Sequence, residues 1–525
     1  MLSCSKTAIR LSRQSALAIK PRQFTPTLSQ LLLMRAASTK SAAMLKDQGL
    51  LRQQALINGK WVDAADGSTF QINNPATGEE LGSAPEMGLV ETKEAIAAAS
   101  EAFKTWSKTT AKERHDLLKK LYDAMVANME DLALIITLEN GKSKADAKGE
   151  GVYAASFIEW FAEEATRTYG DTIPSPAQGI RNVTIKQPIG VCSILTPWNF
   201  PSAMITRKVG PALAAGCTVV IKPPAETPFS SLAFAELAQR VGFPAGVINV
   251  VTTHKNIKEI GKEMCENKSV KKVSFTGSTG IAKLLASQAS STLKKMSIEA
   301  GGNAPFIVFD DADLDKAIEG AIIAKFRNSG QTCICSNRIY VQSGVYDEFA
   351  ARLAERVDKF KVGNGLDEGT THGPLIHSAA VDKVERHVKD AVERGASVLV
   401  GGKRLEGNFF APTVLSDVPS DAQLTVEETF GPVAGLIKFE TEDEVIKLAN
   451  NTPYGLAGYV YSNDIGRSWR VSEGLEVGMV GANTGSLSTA YIPFGGVKES
   501  GYGREGGREG IAEYLTTKLI SFGGL

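Results

Sequence analysis

The chain has 525 residues, 43% hydrophobic and 22% charged, and its 58 Lys and Arg balance 58 Asp and Glu. Charge balance removes any global field toward nucleic acid, and the apolar content excludes a disordered chain. Six scattered Cys exclude a disulfide framework and fit a reducing compartment, while the length predicts two or three domains.

Residues 1–46 carry eight basic residues, seven Ser and no acid, which leaves 50 basic against 58 acidic residues, about −8, in the remainder. An acid-free, Arg- and Ser-rich start has the composition of a mitochondrial transit peptide and predicts the mitochondrial matrix; a disordered basic tail is the alternative. No membrane span is expected. The one uncharged stretch of spanning length, 187–206, contains Pro188, Pro197 and Pro201.

Short strands and turns are predicted over 56–62 and 73–78, then helices over 90–106, 111–128 and 132–139, where apolar residues recur every three or four positions. Residues 171–188 read as an extended excursion from the domain body. From Gly190 the pattern alternates: strands at 191–195, 217–221, 247–251 and 273–275, with helices at 230–241 and 256–265. Alternation of this kind predicts an α/β fold with a doubly wound parallel sheet, which binds ligands at the carboxyl ends of its strands. A second α/β stretch runs over 305–485, and a Gly-rich segment precedes a terminal apolar run at 515–525.

Two glycine patterns compete as a dinucleotide site. Gly501, Gly503 and Gly506 spell G-x-G-x-x-G, but no strand precedes them and too little chain follows for a βαβ unit. Phe275-Thr276-Gly277-Ser278-Thr279-Gly280 has a strand before it and a helical pattern after it, which suits phosphate at a helix start; an ordinary capped helix is the alternative. Lys222 stands at the carboxyl end of a predicted strand, placed to hold a ribose hydroxyl or a phosphate.

Chemistry is carried by three residues. Cys333, in Gly330-Gln331-Thr332-Cys333, sits in a polar turn as a candidate nucleophile. Glu299 precedes Gly301 and Gly302, which leave room for water or substrate beside a candidate base. Asn199, between Pro197 and Pro201, offers amide N–H groups to an oxyanion. The five His occur in no such motif, and no metal-ligand spacing appears.

Together with Trp198, Phe275–Thr279, Glu427–Pro432 and Pro493–Gly496, these motifs resemble the NAD(P)-dependent aldehyde dehydrogenase family, in order, over nearly the whole chain after the leader. The resemblance implies that Cys333 attacks an aldehyde, Asn199 and the Cys333 N–H hold the oxyanion, and Glu299 activates water. It also implies that Trp198, Lys222, Gly277, Ser278, Glu428 and Phe430 bind NAD or NADP. The expected parts are a cofactor-binding domain (47–170 and 189–298), a catalytic domain (299–487) and an oligomerisation element (171–188 and 488–525), assembled as a homotetramer.

Arg207 and Arg327 lie close in sequence to Asn199 and Cys333, where two guanidiniums can converge on a carboxylate at the far end of a substrate. With Ser488 they are similar to the pattern of family members that act on succinate semialdehyde. Glutarate semialdehyde satisfies the same arginines, since one methylene discriminates by only about 1–3 kcal/mol. A cofactor-independent thioesterase or a non-catalytic protein are the readings from other classes. Ala225 replaces the Glu that many NAD-selective members carry, so use of NADP as well as NAD is expected. Ala282 replaces a usual Gly on the phosphate-binding helix. Cys335, two residues from Cys333, raises the expectation of a reversible oxidative switch.

Overall fold

The computed structural model describes residues 41–525. Most of the predicted leader lies outside them. Its end belongs to the fold: Leu45 is buried, and the Lys46 N–H donates to Asp131 Oδ1 at 2.9 Å. β1 (Ala55–Ile57) and β2 (Lys60–Val62) form a hairpin, and β3 (Thr69–Asn73) pairs with β4 (Glu80–Pro85) in another.

The helices α1 (Leu89–Trp106), α2 (Ala111–Ala127) and α3 (Met129–Asn140) follow the predicted apolar rhythm. Thr110 and Glu113 close a capping box at the start of α2, and Gly141 ends α3 at φ +86°. Two helices escaped the sequence reading. In α4 (Lys144–Ala165), Gly149, Gly151 and a run of charges mask a face that buries Ala154, Phe157 and Phe161. In α5 (Ala203–Ala215) every residue is buried, so no amphipathic period exists to be read.

β5 (Thr172–Ile173) and β6 (Arg181–Pro188) make up the extended excursion. The strands β7 (Val191–Leu195), β8 (Thr218–Lys222), β9 (Ile248–Val250), β10 (Val270–Thr276) and β11 (Lys295–Glu299) then alternate with α5, α6 (Phe229–Arg240), α7 (Ile257–Glu266) and α8 (Thr279–Ala289). Ala282, on α8, is buried against this sheet's apolar layer. The sheet order is β19-β11-β10-β7-β8-β9-β1-β2, where β19 (Gly501–Tyr502) is an antiparallel edge. Its five central strands are parallel. From β7 the chain winds first through β8 and β9, then returns to lay β10 on the other side. The strand order therefore reverses between β7 and β10, where a doubly wound sheet opens a ligand crevice.

A second sheet of seven strands has the order β14-β15-β16-β13-β12-β17-β18, built from β12 (Ala304–Val308), β13 (Ser336–Gln342), β14 (Ser397–Val400), β15 (Thr413–Ser416), β16 (Val433–Phe439), β17 (Ala457–Tyr461) and β18 (Met479–Ala482). Apolar clusters cover both faces of each large sheet. β20 (Leu515–Phe522) pairs along its whole length with β6 in a three-stranded antiparallel sheet with β5. Leu519, Phe522, Ile173 and Ile185 are exposed there, so neither face of this sheet is covered by its own chain.

Candidate active site

The crevice collects the residues singled out in sequence. Trp198 and Asn199 follow β7, Lys222 ends β8, Gly277 follows β10, and Glu299 ends β11. Cys333 comes from the other sheet, in the turn between the helix Leu314–Phe326 and β13. Asn328, Ser329 and Gly330 occupy the left-handed region in succession, at φ +52°, +54° and +74°, which reverses the chain tightly before the nucleophile. Gly330 is required there, because a Cβ would stand 2.2 Å from the Gly431 carbonyl oxygen.

Cys333 forms a common wall of two cavities, so its 9% exposure leaves it within reach of ligands from both sides. Its Sγ–H donates to Glu299 Oε1 at 3.0 Å. Burial pushes the thiol up to about 12, with Arg207 pulling the other way, so the resting nucleophile is a thiol with its base already in contact. Of the glycines after Glu299, Gly301 lines one of these cavities, as expected of room near the base, and Gly302 does not. A Cβ on Gly302 would lie 2.4 Å from the Cys333 carbonyl, and one on Gly301 3.1 Å from Glu428 Oε2. Gly302 permits close approach of the Cys333 backbone.

Asn199 is buried, and its Nδ2 donates to the Gln331 carbonyl at 3.1 Å, which leaves the second amide N–H for a ligand. The larger cavity, about 390 Å³, is lined by Trp198, Gly277, Ser278, Glu428 and Phe430. The Trp198 and Phe430 rings meet edge to face at 5.5 Å. Glu428 accepts the Gly302 N–H at 3.2 Å, and burial lifts its carboxyl to about 7 against the pull of that N–H and of Lys383 and Lys325. Ser278 caps α8 without a side-chain hydrogen bond, so the first N–H groups of the helix keep no side-chain acceptor. Burial lowers the Lys222 ammonium, with Glu226 and Glu86 opposing. His377 reaches the same cleft, but its Nδ1 accepts the Ala380 N–H at 3.0 Å as a helix cap.

The smaller cavity holds Arg207, Arg327 and Ser488 beside Cys333, together with Tyr153 and Phe494. Arg207, on α5, is almost wholly buried and ion-pairs with Glu299 and Glu505, while it lines the same cavity as Arg327. Its Nη2 faces Glu299 Oε2 and its Nε faces Glu505 Oε2, whereas Arg327 Nε and Tyr153 Oη have no hydrogen-bond partner. Sequence reasoning passed over Tyr153, Lys208 and Glu505. Lys208 donates to Thr276 Oγ1 at 2.6 Å and pairs with Glu505. Burial works to raise Glu505, but Arg207 and Lys208 outweigh it and hold the carboxyl below its ordinary range. The signal was the Gly501–Gly506 run, which contains Glu505 and supplies an edge strand rather than a phosphate loop.

Both Cys333 and Cys335 are free thiols with different partners: Cys335 Sγ faces the Lys325 carbonyl at 3.4 Å. Among the described residues no group of His, Cys, Asp or Glu is placed to hold a metal, and no helix is long and apolar enough to cross a membrane.

The chain matches the aldehyde dehydrogenase family over residues 61–520. It is 58% identical over 476 residues to a glutarate-semialdehyde dehydrogenase of Pseudomonas putida, covering 91% of this chain and 99% of the relative. It is 57% identical over 481 residues to an Escherichia coli succinate-semialdehyde dehydrogenase designated NADP(+)-dependent, covering 91% and 99%. Among solved structures, a succinate-semialdehyde dehydrogenase from Burkholderia pseudomallei superposes with a TM-score of 0.90 at 56% identity, over 91% of this chain and all of that one. With the nucleophile, base and crevice in the places described, the chain belongs to the aldehyde dehydrogenase family.

Proposed function

We propose that this chain oxidises succinate semialdehyde to succinate with NADP or NAD. One observation carries the reading. The small cavity beside Cys333 is lined by two guanidiniums, Arg207 and Arg327, and by Tyr153, and of these Arg327 Nε and Tyr153 Oη have no hydrogen-bond acceptor. Buried donors without acceptors are costly, and a carboxylate supplies acceptors to several of them at once.

In this reading the aldehyde enters with its carboxylate against Arg207, Arg327 and Ser488 and its carbonyl at Cys333. Glu299 Oε1 takes the Sγ proton along the existing 3.0 Å contact. The thiolate adds to the carbonyl carbon, and the oxyanion is held by the free Asn199 N–H and the Cys333 backbone N–H. The residues of the larger cleft fit a nicotinamide dinucleotide: an uncapped helix start for phosphate, Glu428 for ribose hydroxyls, and Trp198 with Phe430 beside the ring. When bound, that cofactor supplies the two-electron acceptor for the aldehyde hydrogen. Once Glu299 has released that first proton to solvent, the thioester left on Cys333 is hydrolysed by water that gives a proton to Glu299, which passes it to the departing sulfur, returning the thiol and releasing succinate.

Ala225 in place of an acid beside Lys222 supports NADP alongside NAD. Glutarate semialdehyde is the second reading, favoured by the name of the Pseudomonas putida relative. We assign the parts as expected from sequence: cofactor binding to the first sheet, the nucleophile to the second, and homotetramer assembly to the uncovered β5-β6-β20 sheet. Import to the mitochondrial matrix rests on the acid-free leader, and Cys335 remains the partner for oxidation of Cys333. Reduced-nicotinamide absorbance tests the function. Succinate semialdehyde is expected to drive it faster than glutarate semialdehyde and butanal, whereas thioester cleavage without cofactor and no absorbance change would place the chain among thioesterases.

A further inference from the structure

Lys142 and Glu150 form a buried ion pair that no step above uses. Both side chains have no exposure, and Lys142 Nζ lies 2.6 Å from Glu150 Oε2. The same ammonium donates to the Asn199 carbonyl at 2.8 Å and sits 4.1 Å from the centre of the Phe200 ring. Glu150 Oε1 accepts the Ser202 N–H at 2.8 Å and the Ala203 N–H at 3.3 Å, which are the entry to α5. Asn140 Nδ2 donates to the Trp198 carbonyl and Asn328 Nδ2 to the Asn199 carbonyl, each at 3.0 Å. The segment 198–203 is thus gripped along its backbone, and every grip ends at or beside this pair.

The pair is itself held from outside. A Cβ on Gly373 would stand 2.1 Å from the Gly141 carbonyl oxygen, and one on Gly365 2.2 Å from that of Lys142. Two loops therefore pack directly on the backbone that presents the ammonium. Burying two charges is not an efficient route to stability, since an apolar pair of similar volume serves as well or better. What an apolar pair cannot do is bond the Asn199 carbonyl and the Ser202 and Ala203 N–H groups together.

We propose that Lys142 and Glu150 are positioning residues for catalysis: one ion pair sets the Asn199 backbone and the start of the Arg207 helix in a single register. The oxyanion donor and the carboxylate receptor then hold their spacing to each other. The inference rests on the roles given to Asn199 and Arg207 under the proposed function.

The test is a double-mutant cycle in the full chain with succinate semialdehyde and NADP. Lys142→Met is expected to lower kcat about 100-fold, the scale of losing one oxyanion donor, as is Asn199→Ala alone. Adding Asn199→Ala to Lys142→Met is expected to cost less than about threefold more, because the donor is already misplaced. Cofactor affinity and the rate of Cys333 alkylation by iodoacetamide are expected to stay within about twofold, which a general collapse of the site does not allow. Lys142→Gln, which still donates to the Asn199 carbonyl, should recover at least about tenfold over Met. Should Lys142→Met fail to fold, Glu150→Gln takes its place in the cycle. Independent, multiplying losses overturn the proposal, as does a parallel fall of kcat, alkylation and cofactor affinity. If Asn199→Ala lowers kcat and Lys142→Met does not, the positioning role alone fails; if Asn199→Ala has no effect, the oxyanion assignment fails and takes the proposal with it.

Discussion

The small cavity that holds Arg207 and Arg327 and the larger cleft lined by Trp198, Gly277 and Glu428 share Cys333 as a wall. On the small side two guanidiniums and a phenol converge, and Arg327 Nε and Tyr153 Oη there have no acceptor. On the large side the polar features are spread out: one carboxylate, an uncapped helix start, and aromatic rings. The difference teaches where selectivity resides. A compact anionic group is recognised by charge on one side of the sulfur, and an extended molecule by shape and scattered contacts on the other.

If the sulfur joins the two sides, removing the base beside it must stop turnover whichever side is filled. Glu299→Gln is expected to lower kcat by about 10²–10⁴, the range of general base catalysis, with cofactor affinity unchanged in fluorescence titration. Effects confined to one cavity come next. Arg207→Ala or Arg327→Ala should each reduce kcat/KM for succinate semialdehyde by roughly 10- to 100-fold, from about 1.5–3 kcal/mol per charge-assisted bond, and leave Kd for NADP alone. An equal loss of cofactor binding would mean that the cavities are not separate sites. On the other side, Ala225→Glu should lower kcat/KM for NADP about tenfold with little change for NAD, by placing a negative charge near the 2′-phosphate.

The smallest effect concerns pH. Burial lifts Glu428 from 4.5 to about 7, so between those values the folded chain keeps a proton that the unfolded chain has released. Its contribution to stability is present below about 4.5 and lost as pH rises through about 7. Glu428→Gln should therefore raise Tm by a few degrees more at about pH 8 than at about pH 5 in scanning calorimetry. It should also flatten the improvement of NADP affinity that deprotonation of Glu428 gives across the same range.

Residues on element ends were the legible part of the site. Lys222 and Glu299 close strands and Gly277 follows one, on β-rich runs that stand out in sequence, and the reversal of strand order between β7 and β10 opens the crevice that Gly277 lines. Cys333 was legible through its turn. Glu505 was not, because it reaches Arg207 from a segment that reads as a glycine run, and its role exists only once β19 pairs with β11. Tyr153 was hidden with α4, whose glycines and charges break the apolar pattern. The purpose of Gly302 was not legible for a related reason: sequence shows an absent side chain, not the Cys333 backbone that fills the room.

The ratio of kcat/KM for succinate semialdehyde over butanal, measured in the wild type and in Arg207→Ala/Arg327→Ala, tests the central claim most directly. A cavity built for a carboxylate predicts a ratio above about 100 that collapses toward one when both guanidiniums are removed. A wild-type ratio near one, or a high ratio that survives the double substitution, would contradict it.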